Sequence, residues 1–254
     1  MTRGTSGWSW LMAVVVLSGV GCKTLSRMDV TFEQDALGAA PATYPAPSPP
    51  NDVLASYTST QTTSVVVADP AGGQRLRITP QPSFVSAPDF RKRAILVTSD
   101  VFTAGASIRG HLRVRMEGLG QLLIGLRAVN GPNMSDFLGG FSVGNYQAST
   151  TRIELLNPFT ENGMEGNYPL FTSAGVLASV AGGQVVDIQW SLDQASRSIA
   201  ASVSGGQSVS TTFAATSNGV AVTPIERLGL WIWLGNPSSN TAAFVDNLSV
   251  EEYK

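Results

Sequence analysis

One cysteine, Cys22, and one histidine, His111, occur in 254 residues. A single thiol closes no disulfide within the chain, so the folded part has to hold together by burial. A single imidazole excludes a two-histidine metal site or a histidine-pair mechanism, and any Ser–His–Asp triad would have to recruit His111. Charge is also scarce. Only 13% of residues are charged, 16 basic against 18 acidic, and a chain so balanced is not a general nucleic-acid partner. Helical apolar periodicity is almost missing, and one long apolar run stands out, at the N-terminus.

That run, GWSWLMAVVVLSGVG (7–21), follows Arg3, the only charge before Cys22. Its length suits a secretory signal and falls short of the ~20 residues of a membrane span. It ends SGVG-Cys22, and this resembles a bacterial lipoprotein signal, with Gly21 and Cys22 where the motif needs them and Gly19 in place of the commoner leucine. The resemblance implies a signal peptide over 1–21, a diacylglyceryl thioether on Cys22 and an acylated new amino group, several chains together making a stable anchor. Lys23 stands where aspartate would signal inner-membrane retention, which implies the outer membrane of the envelope. Residues 22–27 are expected to be a short tether and 28–254 the domain. The proline-rich Ala39–Asp52 is assigned to a long loop rather than a tether, because DVTFEQDALG precedes it. About 230 residues suffice to bury ~70–75% of the unfolded surface.

The rest is short alternating runs between Gly, Pro, Asn and Ser clusters, which predicts an all-β sandwich. SVVVAD and QRLRITP read as a hairpin across PAGG, and QVVDIQWSLD and RSIAASVSG as another across QA. A dozen or so strands suit a jelly roll. A short helix is expected near Ser173–Val180, inside the long connection 157–182.

VTFEQDALGAAP with SVVVADPAGGQRLRI, the hairpin VVDIQWSLDQASRSIAASVSGG, and the closing AAFVDNLSVEEY together resemble secreted concanavalin A-like (laminin-G-like) domains. The family implies a two-sheet antiparallel jelly-roll sandwich. Its members include lectins, glucanases, lyases and domains without ligands, so the fold fixes no activity. The Glu-x-Asp-x-x-Glu strand of its glucanases is absent, and Glu161 and Glu165 read as loop acids.

Three features are candidates for a site. In SIRGHLRVRM, Arg109, His111, Arg113 and Arg115 share one strand face, a basic group every ~6.6 Å. Such repulsion has to be offset by water and salt, by acids on neighbouring strands, or by an anionic glycan or phosphate, which arginine's planar fork suits. In LGLWIWLGN, Leu228, Leu230, Ile232 and Leu234 point one way and Trp231 and Trp233 the other. Those indoles are either a stacking platform for sugar rings or packed under a loop; Trp190 reads as core. Asp246 has the strand phase of Phe244, Leu248 and Val250 and so is expected to point inward, where it needs a partner. A bulge, backbone N–H donors, or a structural calcium shared with Glu33 and Asp35 would each serve, the last because the resemblance implies adjacent first and last strands.

The reading that follows is a lipid-anchored carbohydrate-binding module without chemistry, with Trp231 and Trp233 stacking and the basic face making polar contacts. The alternatives are a structural or protein-interaction lipoprotein, and a lyase-like enzyme using His111 with Arg113 or Arg115. Mass spectrometry of the mature N-terminal peptide is expected to find lipid on Cys22, and Cys22→Ser is expected to move the protein out of the membrane fraction.

Overall fold

A computed structural model describes residues 24–41, 54–55, 61–84, 91–147, 149–160 and 171–253. The signal peptide, Cys22, most of the proline-rich stretch, and Glu161 and Glu165 lie outside the described residues. The strands in chain order begin with β1 (Leu25–Val30), β2 (Leu54–Ala55), β3 (Thr62–Ala68), β4 (Gln74–Pro80), β5 (Arg91–Thr98) and β6 (Ser107–Glu117). Then come β7 (Gly120–Asn130), β8 (Asn133–Gln147), β9 (Thr150–Leu156), β10 (Ser173–Ala181), β11 (Val186–Asp193) and β12 (Ser198–Val203). The last are β13 (Ser208–Thr212), β14 (Thr216–Ser217), β15 (Val220–Ala221), β16 (Arg227–Gly235) and β17 (Ala242–Tyr253).

They form a two-sheet antiparallel jelly-roll sandwich. The eight-stranded sheet runs β13-β12-β11-β6-β17-β4-β3, with β1 also on β17. The seven-stranded sheet runs β10-β9-β8-β7-β16-β5-β2, and β14 and β15 make a small ribbon. Local turn chemistry produces both hairpins read from the sequence, β3–β4 and β11–β12. The alternation in β6 and β11 turns Ile108, Leu112, Val114, Ile188 and Leu192 into the core, where Leu228, Leu230, Ile232 and Leu234 of β16 meet them. Trp190 is core as well. Its ring takes the room left by Gly110, where an added Cβ would lie 2.1 Å from the indole.

The structure corrects one boundary and one element. The tether expected over 22–27 is too long, because Leu25–Arg27 already belong to β1, paired to β17. Arg27 donates to Glu252 at 2.8 Å, and Thr103 donates to the same carboxylate through its amide and its hydroxyl. Burial alone would raise that carboxyl, but these bonds outweigh it and hold Glu252 below the usual range. The helix expected near Ser173–Val180 is strand β10. Register shifts between Ser173 and Gly175 and between Val176 and Ala178 break its period of two.

Gly110→Ala is expected to cost about 1–3 kcal/mol, because Trp190 has no room to yield inside a packed core. A lower urea midpoint at unchanged m-value would show it.

Candidate functional site

The outer face of the eight-stranded sheet carries the basic strand. β6 lies between β11 and β17, and the ladder seats an acid beside two of its three arginines. Arg109 is opposite Glu251 and Arg113 opposite Asp187. Arg109 Nε and Nη2 both lie 2.9 Å from Glu251 Oε2. Arg113 Nε donates to Asp187 Oδ1 at 3.1 Å, and His111 Nε2 lies 3.0 Å from the same oxygen. The other ring nitrogen of His111 faces the Asn247 carbonyl at 3.2 Å. Arg115 pairs with Glu117 and lies over the Phe244 ring, which Arg75 also covers at 4.1 Å. Of the offsets open to this face, acids on the neighbouring strands supply much of what it needs.

Between the large side chains the floor is small. Across the ladder Arg109 is followed by Ser191 and Ala200, and His111 by Gln189, Ser202 and Ser208. On the other side, Ser249 lies beside His111. The result is an open trough of about 630 Å³, within the range of small-molecule sites. Its walls include Arg109, His111, Gln189, Glu251 and Tyr253. The Arg109 guanidinium lies 5.7 Å from the Tyr253 ring centre. The surface offers amide, imidazole, guanidinium, carboxylate and hydroxyl groups, with the Tyr253 ring at one end. Such a set can exchange many hydrogen bonds with a polyhydroxylated ligand.

Trp231 and Trp233 do not join this surface. They belong to β16 and so to the opposite sheet. Trp233 is 3% exposed, enclosed by Leu123, Phe137, Leu156 and Phe159, and Trp231 is only half-buried at the edge of that cluster. Phe137 stacks on Phe159 with centroids 4.5 Å apart and meets both indoles edge-on. The Arg127 guanidinium lies 4.8 Å from the rings of both Phe137 and Trp231. The platform of two indoles is therefore corrected. The inner face of β16 is core and its outer face is covered at Trp233 and in part at Trp231, so packing accounts for most of the apolar pattern on both sides.

Asp246 is corrected too. Its expected inward phase fails because β17 bulges between Asp246 and Ser249, with Asn247 at φ 48°. Before the bulge Phe244 and Asp246 lie opposite Arg115 and Arg113, on the outer face; after it Leu248 and Val250 are core. Burial raises the Asp246 carboxyl above its ordinary range. A bond from the Asn247 amide at 2.8 Å and the charge of Arg113 oppose this, and Asp69 and Glu33 add to it. Glu33 accepts the Gln74 amide, and Asp35 is buried. Among the described residues no three His, Cys, Asp or Glu side chains converge as metal ligands. Two of the three arrangements expected for Asp246, a bulge and a backbone donor, are present.

Sequence reasoning missed Glu251, Asp187, Gln189 and Tyr253. Alternation in β11 and β17 puts them outward, but only the cross-strand register brings them to β6. Gly140-Phe141-Ser142-Val143-Gly144 has the Gly-x-Ser-x-Gly spacing, yet it lies inside β8 rather than on a strand-to-helix turn. Ser142 is buried, bonded by Gln121, and on the sheet opposite to His111.

No family model matches the chain, and no curated protein does. Among solved structures it is similar to an endo-1,3-β-glucanase from Streptomyces sioyaensis, at 15% identity over 90% of this chain and 96% of that one, TM-score 0.48. It is also similar to a protein of unknown function from Shewanella oneidensis MR-1, at 10% identity over 91% and 87%, TM-score 0.46. A third is peanut lectin, at 11% identity over 91% and 97%, TM-score 0.39. At these identities and TM-scores the likeness assigns this chain no activity.

Because folding holds Asp246 above its usual 3.8, the ionised form costs stability. That cost is absent below the unfolded value and complete once pH passes the folded one. Asp246→Asn is expected to raise the urea midpoint at neutral pH and to make no difference in acid below that value.

Proposed function

We propose that this chain is a non-catalytic carbohydrate-binding lipoprotein of the bacterial cell envelope. Cys22 anchors it to the membrane, the outer membrane rather than the inner, and the trough on the eight-stranded sheet takes the glycan. The observation that carries this reading is the trough itself: a small-residue floor walled by Arg109, His111, Gln189, Glu251 and Tyr253. Planar polar groups there can exchange bonds with sugar hydroxyls, and Tyr253 offers a ring face to the apolar side of a sugar. This moves the binding surface from Trp231 and Trp233 to the face of Arg109 and His111.

Catalysis is not part of the proposal. A lyase-like reaction needs a base with a free lone pair near the sugar proton. His111 lines the trough, but each of its ring nitrogens lies against an oxygen acceptor. Tyr253 stands four residues along β17 from Ser249, the ladder partner of His111, and the Arg109–Glu251 pair lies between. Calcium is not invoked either.

A structural or protein-interaction role is the second reading, favoured by the ion pairs that neutralise Arg109 and Arg113 without a ligand. A glycan array followed by calorimetry on the full chain in detergent separates the two. Arg109→Ala and Tyr253→Ala are each expected to weaken glycan binding about tenfold or more, with little change in melting temperature. A folded wild-type protein that binds no glycan would leave the structural role.

A further inference from the structure

We infer that the trough accepts uncharged glycans and rejects polyanionic ones, an inference that rests on the carbohydrate-binding reading above. A strand with four basic positions on one face invites the opposite conclusion, and the pairing geometry decides against it. Arg109 directs Nε and Nη2 to one oxygen of Glu251, and Arg113 directs Nε to Asp187, which His111 also faces. These partners come from strands on either side of β6 and are set by ladder register.

A carboxylated or sulfated sugar reaching Arg109 would either displace Glu251 or settle on the donors beside it, and in both places its charge would stand next to the Glu251 carboxylate and be repelled. A hydroxyl meets no such obstacle. Arginine carries five N–H donors, so those not aimed at Glu251 remain for neutral acceptors, while a carboxylate can accept from a hydroxyl. The floor residues Ser191, Ser202, Ser208 and Ser249 add donors and acceptors without charge.

Stability does not account for the Arg109–Glu251 pair. The two side chains are 52% and 34% exposed, and pairs so open to water contribute little to folding. Their effect falls on what the trough can bind. Cancelling the cation leaves arginine as a directional donor rather than a magnet for polyanions.

The test is calorimetry of the full chain in detergent with laminarin and mannan as neutral probes and alginate and polygalacturonate as anionic ones. A neutral polymer is expected to bind with a Kd that changes less than about twofold between low and high salt. The anionic polymers are expected to bind about tenfold more weakly or not at all. In the Asp187→Asn, Glu251→Gln double variant the freed cations should raise polyanion affinity about tenfold, and salt should abolish the gain. Wild-type protein that prefers alginate or polygalacturonate, and releases it at high salt, would overturn the inference while sparing the carbohydrate reading. Failure of all four polymers to bind would overturn the inference, and a blank glycan array beside it would overturn the carbohydrate reading as well. The wild-type comparison stands whether or not the double variant folds.

Discussion

The antiparallel pairing of β17 with β6 is the contact on which the rest depends. It joins the last strand to the centre of the eight-stranded sheet, and it lets β4 flank one half of β17 and β1 the other. Its register puts Glu251 on Arg109 and Ser249 beside His111, and the bulge after Asp246 lets one strand serve two phases. Without that extra length either Phe244 or Leu248 would face the wrong side. Core, charge balance and trough floor follow from one alignment.

The two outer faces have opposite fates. On the seven-stranded sheet every residue from Gly120 to Val129 of β7 is buried, whichever way it points. Leu123, Phe137 and Trp233 fill that outer layer, with Arg127 laid across the rings of Phe137 and Trp231. The outer face of the eight-stranded sheet keeps alternating partial exposure along β6, so its polar groups remain in reach of solvent. Among the described residues, the outer face of the seven-stranded sheet is thus largely closed and that of the eight-stranded sheet open.

Where a feature was local, the residues announced it. Gly72 and Gly73 adopt positive φ in the turn between β3 and β4, and PAGG reads as that turn without knowledge of the fold. The core phases of β6, β11 and β16 were equally legible, because period-two alternation is a property of neighbours in sequence. β10 was not, since its irregular register leaves Ala, Val and Leu in an order that also fits a helix. The partners of the basic face were hidden for a different reason. Arg109 and Glu251 lie 142 positions apart, and no pattern in either strand states their register. The burial of Trp233 is likewise decided by Phe159, a residue in the connection after β9.

The early start of β1 bears on the geometry of the proposed lipid anchor. Only Lys23 and Thr24 separate the proposed lipidated sulfur from a strand already hydrogen-bonded to β17. A link of two or three residues reaches at most about 10 Å. The sandwich would then ride on the bilayer like a bolted plate rather than a float on a line. Whatever its trough captures would be held within one domain's width of the lipid headgroups.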